Sequence, residues 1–304
     1  MLKRLNRFLL LGIMSFILVV SGVSTAAAGK SDDSDSIDEK FGMPVVVFGE
    51  TLTDAQKKEV RKLLNVNDAT QVDEVIVTAQ DLARLIGGNP NSRMFSSAKI
   101  TLKEKGYGLV VTRVTPDLIT EVTEEMYANA MLTAGIENAQ VEVASPVKVS
   151  GHSALVGIYK AYESRGEVLD KDRMEVANEE LDLATDLAGK DGLDSEKVGE
   201  LLTEIKKAIA EHNPVTREEV EQLVSDQLKK MKIELSDKDR QLLIDLFDKM
   251  RSLDIDFGNV KKQLEDLTKD IRDKMKDAIG DEGFWEKVLD FFRKIFEAIA
   301  NLFK

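Results

Sequence analysis

The chain has two histidines, His152 and His212, and these are the side chains whose charge changes closest to neutral pH. His152 follows Ser150 and Gly151 and precedes Ser153, at the start of a predicted helix. The free N–H groups of a helix start can bind an anion, which is one interpretation of this segment. No carboxylate or second histidine stands nearby at a spacing that would orient the imidazole. We therefore expect His152 to be structural and without a catalytic role, with the anion site as the alternative.

Other chemistry has little support in the sequence. His212 stands before Asn213 and Pro214 at a predicted helix end, where the helix dipole favours a cation, so we expect a structural role. The chain contains no cysteine, which excludes disulfides, thiolate catalysis, cysteine-bound zinc and lipid attachment at cysteine. The metalloprotease pattern HExxH and the hydrolase pattern GxSxG are both absent. We predict no catalytic residue, no metal site and no cofactor.

Three further segments resemble ligand sites only in part. Residues 29–40, GKSDDSDSIDEK, lack the glycine and the distal glutamate of a calcium-binding loop. The loop at Gly87 and Gly88 follows a predicted helix and lacks the lysine and hydroxyl of a phosphate-binding loop. Adjacent carboxylates such as Glu179 and Glu180 recur throughout the second half, which is typical of solvated helix faces.

The charge and the N-terminus indicate where the protein works. The formal net charge of −13 repels phosphate backbones, and no basic patch offsets it, so we predict no nucleic-acid partner. Residues 1–28 have a basic start, an apolar run and the small residues Ala26–Ala28, as a signal peptide does. The apolar run is shorter than the roughly 20 residues that span a bilayer, which favours cleavage over an uncleaved anchor. We predict a protein secreted or associated with the cell envelope, outside the cytoplasmic membrane.

The elements that must position these residues are clearest between Thr123 and Glu163. Apolar residues at helical spacing predict a helix that Thr123 caps and Gly135 ends. Alternation over Ala139–Ala144 then predicts a strand with one buried face. A second helix is predicted to open at Ser150-Gly151, so the stretch is helix, strand, helix.

This central stretch resembles a known family. Its segments MYANAMLTAGI, AQVEVASP and VSGHSALVGIYKAYE are similar to domain of unknown function one-thousand-and-two, a group of secreted proteins of Gram-positive bacteria. The resemblance extends upstream through VVVFGETLTDAQ and GYGLVVTRVTP, and thus covers most of residues 44–163. It carries no activity, substrate or catalytic residue.

Strand and helix signals alternate before the central stretch. The run Val45–Phe48 is typical of a strand buried on both faces, and polar starts at Thr53 and Thr78 predict two helices. A βαβ unit is therefore expected. Residues 98–103 and 107–114 predict a β-hairpin turning at Lys105-Gly106. One more short strand is predicted around Ile119 and Val122.

Beyond Gly166 the pattern is helical, with apolar stripes between charged residues. Helices are predicted over 171–188, 195–211, 216–232, 237–251 and 259–279. The predicted fold class is α+β, with a mixed α/β domain followed by an all-α domain that ends in an amphipathic helix. The predicted organisation is a signal peptide (1–28), an acidic linker (29–40), the α/β domain (41–166), the helical domain (167–280) and the C-terminal helix (281–304).

The C-terminal helix carries an apolar face that covers about half of its circumference, wider than the roughly 100° of an ordinary surface helix. A membrane surface or a partner protein is predicted to contact this face, which comprises Phe284, Trp285, Val288, Phe291, Phe292, Ile295, Phe296, Ile299, Leu302 and Phe303. Charges on every turn exclude spanning. Closure of the helical domain by the same face is the alternative.

Two functions follow from these observations. The first is an exported, non-catalytic cell-envelope protein that binds or scaffolds, attached peripherally to the membrane surface or to another envelope protein. The alternative is an exported enzyme, such as a hydrolase of envelope polymers, with its site near residues 150–153. A cleft of converging polar groups would favour the enzyme, whereas an apolar groove would favour binding.

Overall fold

The computed structural model describes residues 42–190 and 193–266. Its helices and strands, in chain order, are β1 (Val45–Gly49), α1 (Asp54–Leu63), β2 (Asp73–Val77), α2 (Ala79–Ile86), β3 (Ser97–Leu102), β4 (Leu109–Arg113), α3 (Glu124–Thr133), β5 (Ala139–Ala144), α4 (Ser153–Ser164), α5 (Lys171–Leu187), α6 (Ser195–His212), α7 (Arg217–Met231) and α8 (Asp237–Ser252). Residues 257–266 are also helical. The predicted α+β class is confirmed. No helix of the described residues is long and apolar enough to cross a membrane.

Side-chain caps fix where most of these helices begin. Thr53, Thr78 and Thr216 each accept a hydrogen bond from the third residue of the helix, whose side chain bonds back to the cap. These capping boxes satisfy N–H groups that a helix start leaves unpaired. The helix starts expected at Thr53, Thr78 and Thr216 are therefore confirmed.

The five strands form one mixed sheet in the order β2-β1-β3-β5-β4. β1 and β2 are parallel, β4 and β5 are parallel, and β3 runs antiparallel to both of its neighbours. β1 is buried at every position, as expected for a strand covered on both faces. The predicted βαβ unit is the pair β1 and β2 with α1 between them in sequence.

The β-hairpin predicted from residues 98–103 and 107–114 is wrong, because β5 lies between β3 and β4. The connection between those strands is bound to the start of β5 instead. Asn138 Oδ1 accepts hydrogen bonds from Gly106 N at 2.8 Å and Gly108 N at 3.2 Å. The two glycines have φ of +93° and +84°, which favours glycine at both positions. β5, whose buried residues alternate along the strand, therefore pairs with both β3 and β4.

The short strand predicted at Ile119 and Val122 is reduced to a single bridge. Ile119 pairs with Val149 in parallel, outside the named strands. Val122 instead donates its N–H to Ser150 O at 3.2 Å. The segment is thereby bound to the loop that leads into α4.

The hydrophobic core continues from the sheet into the helical half. One cluster contains Val141 of β5, Tyr127 of α3, Leu201 of α6 and Phe247 of α8. The described residues fall within a single compact unit by their contacts. The boundary predicted near residue 166 therefore lies inside continuous packing. The division into an α/β domain (41–166) and a helical domain (167–280) stays a prediction from the sequence, and this core counts against separate folding of residues 41–166.

A buried ion pair lies where the two halves meet. Lys206 Nζ of α6 is 2.6 Å from Glu180 Oε1 of α5, and both side chains are 1% exposed. Lys206 also donates to Thr133 Oγ1 and Asn129 O of α3, both at 2.8 Å. Burial lowers the pKa of Lys206, while Glu180 opposes this shift. The solvated face expected for Glu179-Glu180 is thus wrong for Glu180, whose neighbours across α3 and α6 lie far away in sequence.

Candidate functional site

The loop before α4 is held in place by the segment over residues 118–122. Val149 N donates to Leu118 O at 2.8 Å, and Thr120 N donates back to Val149 O at 3.0 Å. Gly151 follows with φ of +114°, and its carbonyl accepts the Tyr127 hydroxyl at 2.7 Å. A Cβ atom at this position would lie 2.7 Å from that hydroxyl oxygen. The close packing of side chains around the Gly151 backbone therefore fixes the position of the adjacent residue His152.

His152 has partners that its neighbours in sequence did not reveal. Its Nδ1 lies 3.1 Å from Ser150 Oγ, and its Nε2 lies 2.9 Å from Thr185 Oγ1. Asp182 Oδ1 is 3.4 Å from the same Nε2. Since α5 supplies Asp182 and Thr185, no local spacing around residue 152 could have predicted them. We name Ser150, His152, Asp182 and Thr185 the His152 cluster.

The hydrogen bonds of Thr185, together with Asp182 beside Nε2, favour the tautomer of His152 that carries its proton on Nε2. The Thr185 hydroxyl donates within α5, to Leu181 O at 3.1 Å or Asp182 O at 3.0 Å. Its oxygen therefore accepts from His152 Nε2–H, which leaves Nδ1 as the acceptor for the Ser150 hydroxyl. The imidazole is 27% exposed on its side chain, so solvent reaches the cluster. This is the arrangement of a base beside a hydroxyl.

The predicted anion site at the start of α4 is assembled only in part. Gly151 is buried, Ser153 is the first residue of α4, and His152 makes no side-chain cap to the helix. The first N–H groups of α4 thus lack a side-chain acceptor, while the Ser150 hydroxyl and the imidazole face each other. Anion binding at Ser150–Ser153 stays a prediction. His212 lies at the end of α6, where its Nδ1 is 2.9 Å from Ala208 O.

An acidic groove of about 510 Å³ begins at Asp182 and runs between α5 and α8. We name it the α5–α8 groove. Its apolar residues are Leu183, Leu242 and Leu246, its carboxylates are Glu179, Asp182, Asp186, Asp245 and Asp248, and its cations are Arg217 and Lys249. Leu242 is 41% exposed. Burial raises the pKa of Asp182, His152 lowers it, and Asp186 raises it further.

A second cleft, of about 380 Å³, lies between α2, α4 and α5. We name it the Tyr159 cleft. Its lining includes the buried side chains of Leu85, Tyr159 and Met174. The Tyr159 hydroxyl has no hydrogen-bond partner among the described residues, although the side chain is 1% exposed. Burial, reinforced by Glu180, raises the pKa of Tyr159 well above its usual value, so the hydroxyl remains a donor.

The charges at the rim of this cleft are paired with each other. Arg84 bonds both carboxylate oxygens of Glu163, at 2.7 and 2.8 Å. Its hydrogen bond lowers the pKa of Glu163. Asp81, which does not itself line the cleft, bonds the same Arg84. Burial raises the pKa of Asp81, but hydrogen bonds from Arg84 and Lys160 outweigh this effect and bring the value to about 2. Groups that stay charged at neutral pH orient a ligand but do not exchange protons with it.

The remaining sequence predictions concern metal binding and the two ends of the chain. Within residues 42–190 and 193–266, no group of three or more His, Cys, Asp or Glu side chains is arranged to hold a metal ion. The signal peptide (1–28), the linker (29–40) and the apolar face over Phe284–Phe303 lie outside the described residues. Attachment to a membrane surface or an envelope protein through that face stays a prediction.

A five-stranded mixed sheet whose core continues into packed helices makes this an α+β protein. The chain belongs to the family described as protein of unknown function (DUF1002), whose model matches residues 48–267. It is similar to the uncharacterised protein YpuA of Bacillus subtilis (strain 168), with 36% identity over 274 residues, 88% of this chain and 92% of that protein. No solved structure matches it. The family resemblance of the central stretch is confirmed.

Proposed function

We propose that this chain is an exported cell-envelope protein that acts by binding, and that the Tyr159 cleft holds its ligand. The observation that carries the proposal is the buried Tyr159 hydroxyl, which has no partner among the described residues and belongs to a side chain that lines a partly apolar cleft. A buried polar group left unpaired costs about 1–3 kcal/mol, so a ligand oxygen that accepts this hydrogen bond would be favoured. Leu85 and Met174 offer apolar contact to the body of the ligand. The expected ligand is a small amphiphile.

The rim supports binding rather than catalysis. Arg84 and Glu163 form a paired edge, and Lys171 and Glu167 add one charge of each sign. Such a balanced rim suits a ligand with a polar or zwitterionic end, which can exchange with the existing ion pair. Export rests on the signal pattern of residues 1–28, and attachment to a membrane surface or another envelope protein rests on the sequence of 281–304.

Binding of 1-anilinonaphthalene-8-sulfonate tests the cleft directly, since this probe is an amphiphile of suitable size. We expect saturable fluorescence enhancement at one site in the wild-type protein. Leu85→Trp fills the cleft and should abolish the enhancement, whereas Leu242→Trp, in the α5–α8 groove, should keep it. Loss in the Leu242 variant with retention in the Leu85 variant would place the probe elsewhere and contradict the proposal.

The stability of Tyr159→Phe separates a ligand role from a structural one. Because the hydroxyl has no partner within residues 42–190 and 193–266, its removal should leave the free energy of unfolding unchanged or raise it by about 1 kcal/mol. Urea denaturation measures this, and Tyr127→Phe is the control because its hydroxyl bonds Gly151 O and its loss should destabilise. A clear destabilisation by Tyr159→Phe would mean that the hydroxyl serves the fold.

A further inference from the structure

Ser150, His152 and Asp182 stand in the order of a proton relay, apart from the Tyr159 cleft. Ser150 Oγ is 3.1 Å from His152 Nδ1, and Asp182 Oδ1 is 3.4 Å from Nε2. The distance from Ser150 to His152 lies within the reach of about 2.6–3.2 Å that a nucleophile and its base require. Thr185 lies within that reach of Nε2, at 2.9 Å, and Asp182 lies just beyond it. In chymotrypsin-type proteases the serine lies at Nε2 and the aspartate at Nδ1, the reverse of the arrangement here. Each residue's role is assigned from the contacts it makes, so the same roles apply with the two nitrogens exchanged.

Each member of the cluster has a defined part in this relay. Thr185 receives Nε2–H, so the lone pair of Nδ1 faces Ser150. The Ser150 hydroxyl has no other hydrogen-bond partner among the described residues. Asp182 lies close enough to stabilise the imidazolium that forms when Nδ1 takes a proton. His152 is thereby poised as a general base for Ser150.

We infer that Ser150 is a nucleophile and that the chain hydrolyses carboxylic esters at the His152 cluster, an activity beyond the proposed binding function. Ser150 Oγ bonds to the ester carbonyl carbon as His152 Nδ1 takes the hydroxyl proton. The carbon–oxygen bond to the alcohol then breaks, and the alcohol leaves with that proton. Water attacks the acyl-serine, its proton passing through Nδ1 to Ser150 Oγ as the carboxylic acid leaves. The balance is ester plus water to acid plus alcohol.

The start of α4 supplies stabilisation for the developing charge. Ala154 N and Leu155 N already donate to Gly151 O and His152 O, so Ser153 N is the first-turn N–H group left for a ligand. The helix dipole places positive potential at the same end. A carbonyl oxygen near Ser153 N would gain the charge stabilisation that an oxyanion requires. The helix start that the sequence offered as an anion site would thus serve the hydrolase that the sequence offered as the alternative function.

The α5–α8 groove indicates the substrate class. Asp182 belongs both to the relay and to the groove, and Glu179 and Asp186 extend the row of carboxylates along α5. Carboxylates outnumber cations in this groove, which favours a positively charged group on the substrate. The expected substrate is an ester that carries an amine.

Labelling with an alkyl fluorophosphonate tests whether Ser150 is reactive. Ser150 Oγ would bond to phosphorus, the phosphorus–fluorine bond would break, and fluoride would leave. We expect the purified protein to gain one phosphonyl group on the peptide that contains Ser150. His152→Gln should slow labelling by about a hundredfold or more, the scale of general-base catalysis. Ser164→Ala, at the other end of α4, is the matched control and should be labelled normally.

A second measurement guards against variants that fail to fold. p-Nitrophenyl acetate should give a burst of one p-nitrophenolate per chain, lost in Ser150→Ala and kept in Ser164→Ala. The glycine p-nitrophenyl ester, which carries an ammonium group, should react faster than the acetate, and Asp186→Asn should reduce that preference. No burst and no label in the wild-type protein would overturn the inference, as would labelling of His152→Gln at the wild-type rate while unfolding curves match.

Discussion

At the residue scale, Gly151 illustrates how a position without a side chain holds a site together. Its φ of +114° disfavours other residues, and a Cβ atom would lie 2.7 Å from Tyr127 Oη and 2.8 Å from Ile119 Cγ2. Gly151→Ala should therefore combine backbone strain with overpacking and lower the free energy of unfolding by about 2–6 kcal/mol. Urea denaturation of the purified variant measures this.

Gly106→Ala separates the two causes. It shares a positive φ of +93°, but a Cβ atom there meets nothing within 4 Å. Its loss should reflect strain alone, about 1–3 kcal/mol. Equal losses of unfolding free energy in the two variants would show that the close approach of Tyr127 and Ile119 to Gly151 adds no cost to the substitution.

Single residues also mark the limit of what the sequence predicts. Ser150, Gly151, His152 and Ser153 were recognisable as a helix start because their types and order are local information. Asp182 could not be joined to His152, because the contact depends on where the fold brings α5 relative to the loop before α4. The Tyr159 cleft left no sequence signal either, since an apolar tyrosine position on a helix is usually core.

At the element scale, the joint between α3, α5 and α6 depends on the pair Lys206 and Glu180. Lys206→Met should cost about 3–5 kcal/mol of unfolding free energy, because it leaves Glu180 buried and uncompensated. The double variant Lys206→Met with Glu180→Leu should recover most of that loss, since an apolar pair of similar volume needs no compensation. A double-mutant cycle by chemical denaturation measures the coupling; additive losses would refute it.

The elements that the sequence predicts correctly are those whose signals lie within a few neighbouring residues. Capped helices were predicted because a cap and an apolar stripe are written within a few residues, as at Thr216. The β-hairpin failed because adjacency in sequence favours pairing of β3 with β4, whereas β5 offers both of them a buried alternating partner. The prediction of a solvated face was wrong for Glu180 because a carboxylate is usually exposed, and its burial here depends on the ion pair with Lys206 of α6.

At the scale of the whole molecule, the continuous core makes a prediction about truncation. α3 is buried at every position from Met126 to Thr133, between the sheet and the helices α5 and α6. Expressed alone, residues 41–166 should show no cooperative unfolding transition, because one side of α3 would be uncovered. Residues 41–266 are the control and should unfold cooperatively. A cooperative transition in the shorter fragment would restore the domain boundary near residue 166.

Attachment to membranes is the second prediction at this scale. The chain without residues 1–28 should float with liposomes, and a version of it ending at Ile279 should not, because the predicted apolar face over Phe284–Phe303 is lost. Neutral and anionic vesicles should bind it alike, since the charged residues of 281–304 have both signs. If neither version floats and the truncation lowers stability, the segment belongs to the folded core.

The position of β5 between β3 and β4 also sets an order for folding during synthesis. β4 borders only β5 in the sheet, so a nascent chain that has not reached Ala139 holds β4 without a strand to pair with. Until then β3 has one open edge as well, and open edges invite pairing with other chains. The interval between the synthesis of Ser97 and that of Ala144 is therefore the period in which these edges of the sheet are open to other chains.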